Sequence, residues 1–224
     1  MNMKKLALAV AISTSALSAF AEDAGKDFYA QVNAGYAFGM NSNKAKTVTL
    51  ESSNFGKTGK SMLVGLEGGA RINEHFRLGL GFDYLPGFKA EGNAGTLTTN
   101  LSKTKISSMA FMVNAFLDAG DFSGFKPYVM IGAGVSKNKT KATTFTYNGV
   151  ASSVNGASKT SFAYKLGLGT KFSVNEDIDL DVRYQFVDLG KFTTGTNYTG
   201  AKLKVAATGK LRSNQLMVGV AYKF

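Results

Sequence analysis

The stretch QLMVGVAYKF (215–224) places an apolar side chain at every second position. Its apolar residues are Leu216, Val218, Val220, Tyr222 and Phe224. A period of two is the spacing of a β-strand, which presents alternate side chains to opposite faces. The stretch therefore predicts a strand with one continuous apolar face, and that face has to be covered by something other than water.

Seven further segments show the same alternation. They cover residues 28–39, 62–72, 76–84, 109–117, 129–135, 162–172 and 178–186. The composition agrees, because the chain has 26 Gly, 17 Phe and 9 Tyr but only 2 Pro, and aromatic residues favour strands. The sequence predicts an all-β fold of eight strands.

The connections between these strands alternate in length. Strands two and three, four and five, and six and seven are joined by a few residues each, near 73–74, 118–124 and 175–176. The other connections, around 40–58, 86–103, 137–158 and 189–210, have about 20 residues each and are rich in Gly, Ser, Thr, Asn and Lys. This order predicts an antiparallel transmembrane up-and-down β-barrel with short periplasmic turns and four long extracellular loops.

The charged residues of the strands decide which face points inward. They share the parity of the glycines and small residues, and they are Glu67, Arg71, Arg77, Asp83, Lys165, Lys171, Asp179, Asp181 and Arg183. A soluble barrel of the lipocalin type would bury these charges and expose the large apolar residues, each of which forgoes about 1.5–3 kcal/mol in water. In a membrane the apolar face instead meets lipid, and the sequence predicts a charge network in a narrow lumen.

The N-terminal residues have the pattern of a secretory signal. Lys4 and Lys5 precede an apolar run over 6–12, and Ala19-Phe20-Ala21 has the small-residue spacing of a cleavage site. A signal anchor is the alternative, but the run is well short of the roughly 20 residues that a spanning helix needs. We predict a signal peptide at 1–21 and an outer-membrane barrel domain at 22–224.

The final strand, with Tyr222 and Phe224, resembles the C-terminal signature by which the assembly machinery recognises bacterial outer-membrane barrels. The segments FKPYVMIGAGVS (125–136) and YKLGLGTKFSVNEDIDLDVRYQFVDLG (164–190) resemble the opacity-protein-like family of eight-stranded surface antigens. The segment KTSFAYKL (159–166) is similar to rickettsial surface adhesins of that family. The resemblance implies an outer-membrane location with loops facing outside, an assembly signal at Tyr222 and Phe224, and a role in cell adhesion.

The long connections and adjoining strand ends are strongly basic. They carry sixteen Lys or Arg residues and only two acidic residues, in a chain whose formal net charge is +11. The candidate binding residues in this rim are Lys137, Lys139, Lys141, Lys159, Lys191, Lys202, Lys204, Lys210 and Arg212, with Phe145, Tyr147, Phe192 and Tyr198 as aromatic anchors. Such a surface attracts polyanions.

Two partners fit this rim. One is anionic outer-leaflet lipid, including lipopolysaccharide, in a purely structural envelope protein. The other is a host glycoprotein or glycan bound by an adhesin. Nucleic acid is not expected, because the predicted loops face the cell exterior.

Enzymatic and pore functions are weaker alternatives. The chain has one histidine, His75, in a predicted periplasmic turn, so a Ser-His-acid site cannot form at the loops. No cysteine is present and no cofactor or metal motif is evident. A lumen of eight strands is about filled by its own side chains, so any pore would have a low conductance.

Overall fold

The computed structural model describes residues 28–38, 54–93, 104–147, 150–193, 195, 198–199 and 208–224. The predicted signal peptide at 1–21 and the rim residues Lys202 and Lys204 lie outside this part of the chain. The side chains of Phe145, Tyr147 and Tyr198 also lie outside it. The described part of the chain contains no helix with the length and apolarity that a membrane crossing needs.

Eight long antiparallel strands form a closed barrel. They are β1 (Phe28–Phe38), β3 (Ser61–Arg71), β4 (Phe76–Asn93), β5 (Thr104–Asp118), β6 (Phe125–Thr140), β9 (Ser158–Ser173), β10 (Ile178–Thr193) and β12 (Thr208–Lys223). Each pairs with its neighbours in chain order, and β1 pairs with β12 from Tyr29–Lys223 to Phe38–Asn214. Closure leaves no free edge, and the prediction of an eight-stranded up-and-down barrel is confirmed.

The strands are longer at one end than the alternation predicted. β4, β6, β9, β10 and β12 extend into regions that the sequence analysis assigned to long loops. Four short strands also lie there: β2 (Asn54–Thr58), β7 (Thr143–Tyr147), β8 (Val150–Val154) and β11 (Tyr198–Thr199). We call this the loop end of the barrel and the opposite end the turn end.

Asparagine and aspartate side chains close the short turns. Asn73 Oδ1 accepts hydrogen bonds from the backbone N–H groups of His75 and Phe76, each at 2.9 Å. Asn175 Oδ1 does the same for Asp177 at 3.0 Å and Ile178 at 2.7 Å. These bonds replace backbone partners in a tight turn, which explains why Asn begins both connections.

The turn between β5 and β6 uses an aspartate. Asp121 Oδ1 accepts a hydrogen bond of 2.6 Å from the backbone N–H of Gly124, and Asp121 Oδ2 lies 3.2 Å from Lys126 Nζ. The backbone bond and then the ammonium group hold the pKa of the Asp121 carboxyl below its usual value. This turn therefore keeps its negative charge over the neutral pH range.

The large apolar side chains of the barrel strands point outward. Leu80 is 69% exposed and Ile131 is 61% exposed, whereas the charged residues Arg183 and Asp181 are 2% and 1% exposed. The side-chain polarity is thus inverted relative to a soluble protein. This is the arrangement of a barrel whose outer surface lies in hydrocarbon, where every backbone group must be satisfied within the sheet.

A charge on this outer face should destabilise the barrel. Ile131 lies at the centre of the outward row of β6, between Val129 and Ala133. We expect Ile131→Arg to lower the free energy of unfolding from lipid bilayers by about 2–4 kcal/mol, because an arginine side chain is then exposed to hydrocarbon. Ile131→Val is the control and should have a much smaller effect. Equal effects of the two variants in denaturant titrations would contradict the outward orientation.

Candidate functional sites: the lumen and the rim at the loop end

Arg183 is the centre of a charge network in the middle of the lumen. Its Nη1 lies 3.1 Å from Glu67 Oε2, and its Nε lies 3.4 Å from Asp181 Oδ1. Tyr128 links the two sides, because its hydroxyl donates to Asp181 Oδ2 at 2.7 Å and accepts from Arg183 Nε at 3.0 Å. The network joins β3, β6 and β10, strands that are not all adjacent in the barrel.

Further ion pairs lie on either side of this centre. Lys165 Nζ is 3.1 Å from Asp83 Oδ2 on the side of the loop end. Arg77 forms a two-pronged pair with Asp118, at 2.6 and 2.8 Å, on the side of the turn end. The Arg77 guanidinium also lies 4.4 Å from the centroid of the Phe116 ring. Such paired geometry offsets the desolvation of charges buried in a barrel.

The structure assigns positions to all the charged residues that the sequence analysis placed in the lumen. Most of them are buried in the interior: Glu67, Arg77, Asp83, Lys165, Lys171, Asp179, Asp181 and Arg183. Asp179 pairs with Lys223 at 3.2 Å close to the turn end. Arg71 is only partly buried and lines the opening at that end rather than the middle of the lumen.

The sequence analysis did not include several residues that take part in this network. These residues are either uncharged or lie next to a turn. Tyr29 and Asn114 donate to the two oxygens of Glu67, each at 3.1 Å, and Asp118 pairs with Arg77. Tyr29 and Asn114 lie on the inward rows of β1 and β5. The alternation of these strands could therefore have predicted that both side chains face the lumen. Asp118 was assigned to a turn, because the alternation alone did not show how far β5 extends.

Substitutions within the central network should be non-additive. Arg183→Met leaves the buried carboxylates of Glu67 and Asp181 without a cation, and breaking a buried pair costs about 3–5 kcal/mol. We expect the double variant Glu67→Gln/Arg183→Met to be less destabilised than the sum of the two single variants, as measured by unfolding in lipid or detergent. Pairing Arg183→Met with the distant Lys137→Gln is the control, and this pair should be additive.

A cluster of apolar side chains fills part of the lumen towards the loop end. Twelve buried residues form this apolar layer: Ala37, Leu63, Leu85, Ile106, Ala110, Met112, Ala163, Val187, Leu189, Phe192, Leu211 and Met217. Leu85 and Ala163 lie two residues beyond Asp83 and Lys165 towards the loop end, whereas Met217 lies opposite Arg183 at the level of the ion pairs.

This layer corrects one prediction. Phe192 was predicted to be an exposed aromatic anchor, but it is 1% exposed and faces the interior, so that prediction is wrong. The pairing of β10 with β12 shifts between Asp188 and Lys191, next to Gly190 with a positive φ of 72°. The sequence analysis assigned 189–210 to a long loop, whereas β10 continues to Thr193 and the bulge brings Phe192 to the inward face.

The layered interior should prevent solute flow. Paired side chains in the middle of the lumen and apolar side chains towards the loop end occupy much of its interior. We expect planar-bilayer recordings of the refolded barrel to show no large, stable openings. Porin-sized conductance steps that persist in a purified sample would contradict this arrangement.

The basic residues at the loop end differ in orientation. Lys137 and Lys139 are exposed on the outward face of β6, in the same row as Val135. Lys191 and Lys210 are exposed and lie directly opposite each other on β10 and β12. Like charges opposed across a strand pair are unfavourable by themselves. We call these four residues, together with the exposed Lys141, the lateral lysines.

The remaining predicted rim residues have other environments. Lys159 is partly buried on the inward row of β9, opposite Asn138. Arg212 Nε lies 2.7 Å from Asp188 Oδ2, so its charge is neutralised locally. The backbone positions of Phe145, Tyr147 and Tyr198 belong to one small sheet, in which β8 pairs with both β7 and β11.

The last residues of the chain lie at the seam of the barrel. The backbone N–H of Phe224 donates to the carbonyl of Phe28 at 2.9 Å, which continues the pairing of β12 with β1. The rings of Tyr222 and Phe224 are in edge contact, with centroids 5.1 Å apart, and both are exposed on the outer face.

An apolar outer surface, a charged lumen and long strands extended at one end define the class of bacterial outer-membrane β-barrels. The family described as outer membrane protein beta-barrel domain matches residues 7–224, and this chain belongs to that family. It is therefore located in the bacterial outer membrane. The turn end faces the periplasm in such barrels and the loop end faces the exterior.

Relatives and solved structures agree with this assignment. A Rickettsia felis protein named "Putative adhesin" is 32% identical over 98% of this chain and 99% of its own length. Outer membrane protein PagN of Salmonella typhimurium is 29% identical over 54% of this chain and 52% of its own. OprG of Pseudomonas aeruginosa has the same fold, with a TM-score of 0.58 and 16% identity over 89% of this chain and 96% of that one. Neisserial surface protein A has a TM-score of 0.51 with 22% identity over 88% and 97%.

Proposed function

We propose that this protein is a surface adhesin whose extracellular rim binds a polyanionic host glycan or glycoprotein. The observation that carries the proposal is the set of lateral lysines, which are exposed and have no carboxylate within 4.0 Å among the described residues. The relatives that span the whole chain and are named as adhesins support it.

The chemistry of recognition follows from the arrangement of these charges. Lys191 and Lys210 repel each other across β10 and β12, and an anion that bridges them relieves this repulsion. Sulfate or carboxylate groups repeated along a glycan chain can satisfy several lysines at once. The summed positive field would also speed the encounter at low ionic strength, and salt would weaken it.

The other predicted rim residues enter the proposal in smaller roles. Lys202, Lys204, Phe145, Tyr147 and Tyr198 are proposed to add charge and aromatic contacts to binding. Lys159 and Arg212 are not proposed as principal contacts, because one is partly buried and the other is paired with Asp188.

Charge replacement in the lateral lysines tests this function. A variant with Lys137, Lys139, Lys141, Lys191 and Lys210 all changed to Gln should lose binding to host cells and to immobilised heparin by about tenfold or more, since several charge-assisted contacts disappear. The matched variant with Arg at the same five positions keeps the charge and should bind as the unmodified protein does. Unchanged host-cell binding by the Gln variant would contradict the proposal.

A second candidate is the binding of anionic outer-leaflet lipid, including lipopolysaccharide. The observation in its favour is that Lys137 follows Val135 by two residues on the same outward face of β6. At about 3.4 Å per residue the ammonium group is then at the level of the lipid headgroups. In the same Gln variant, a lost stabilisation by lipopolysaccharide with retained host-cell binding would favour this structural role over the adhesin.

We also propose roles for the two ends of the chain and a non-enzymatic function. Residues 1–21 serve as the export signal, and Tyr222 and Phe224 serve as the signal for the barrel assembly machinery, supported by their position at the seam between β12 and β1. His75 lies in the turn between β3 and β4, at the opposite end from the rim. This position gives it no part in chemistry at the cell surface.

A further inference from the structure

A cavity of about 260 Å³ opens at the periplasmic end of the lumen. The turns between β3 and β4 and between β5 and β6 form its rim, and the inner surfaces of β4, β6 and β9 form its walls. Its lining includes the cationic residues Arg71, Arg77, Lys126 and Lys171. We call this cavity the periplasmic vestibule.

Lys171 is the unusual member of the vestibule. Its residue is 5% exposed, and its Nζ lies 4.6 Å from the centroid of the Tyr29 ring. No carboxylate of the described residues lies within 4.0 Å of that ammonium group. A buried ammonium usually has an anionic partner, because desolvation penalises the charge. The face of Tyr29 offsets only part of that penalty.

The nearby carboxylates already have other cations. Asp118 is held by Arg77, and Asp121 is held by Lys126. Asp181 lies opposite Lys171 on β10, but its carboxylate is engaged by Arg183 and Tyr128. Glu74 remains at the exposed rim of the cavity, in the turn between β3 and β4. Glu67 and Asp179 are likewise held, by Arg183 and Lys223, so Lys171 makes no direct ion pair with a described carboxylate.

Two further features make the vestibule deficient in acceptors. Lys126 and Lys171 lie directly opposite each other on β6 and β9, which is unfavourable for like charges. Arg77 uses Nε and Nη2 for Asp118, but its Nη1 is buried and has no hydrogen-bond acceptor among the described residues. An anion placed between these groups would offer acceptors to Lys171 and to Arg77 Nη1.

We propose that the periplasmic vestibule binds a small oxyanion of the inorganic phosphate class. Lys171 supplies the principal charge, and Arg77 Nη1 supplies a further hydrogen-bond donor. The cavity is large enough for a tetrahedral oxyanion with some of its water. The vestibule is lined by residues of the turn end, so the anion enters from the periplasm. This site is independent of adhesion at the extracellular rim.

Titration of the refolded, isotope-labelled barrel in detergent with inorganic phosphate tests this site. Phosphate at constant ionic strength should produce saturable chemical-shift changes in the backbone amides around Lys126, Gly169 and Lys171. Lys171→Met should weaken the binding by about tenfold or more, because one charge-assisted contact is lost. Lys137→Met removes the same charge at the extracellular end and should leave the affinity unchanged.

Other outcomes of the titration would overturn the proposal. These are the absence of saturable shifts in the unmodified barrel, equal affinities of the Lys171→Met and unmodified proteins, and shifts confined to the extracellular lysines. If Lys171→Met does not refold, Lys171→Gln and Lys171→Arg replace it, with weakened and retained phosphate binding expected respectively. Host-cell binding is measured in parallel, so that a failure of the vestibule is distinguishable from a failure of the adhesin.

Discussion

Closure of the sheet between β1 and β12 is the constraint on which the rest of this structure depends. In hydrocarbon, a backbone N–H or C=O without a partner costs several kcal/mol, so a sheet can cross only if its edges join. The register from Tyr29–Lys223 to Phe38–Asn214 satisfies both edges, and Phe224 continues it by bonding to Phe28. Once the ring is closed, every strand has one face towards lipid and one towards a narrow interior.

The interior is stabilised in layers because a ring of eight strands has little room. Near the periplasm, cations border an open cavity. In the middle, Arg183 joins carboxylates from β3 and β10, and towards the exterior the apolar layer excludes water. Arg183 and Glu67 are both nearly inaccessible to solvent. The central ion pairs therefore act as cross-links between strands that do not touch through their backbones.

The extracellular side combines two kinds of basic surface. Four of the lateral lysines lie on strands of the barrel, and Lys141 directly follows β6, so the barrel positions their charges. Arg212 shows that a basic residue in the same region can instead stabilise the wall, through its pair with Asp188. Positive charge counted along the sequence thus overstates the charge that is presented to a partner.

The sequence by itself determined the strand count, the antiparallel order and the identity of the lipid-facing row, because alternation is a local property with a period of two. The same parity placed Glu67, Asp181 and Arg183 inside before any contact was known. Tertiary structure alone decided which charges pair, since Arg183 and Glu67 are 116 residues apart in the chain. The tertiary structure also decided that the Phe192 side chain faces inward. The bulge next to Gly190 changes the parity of β10, and the local sequence pattern does not predict such a shift.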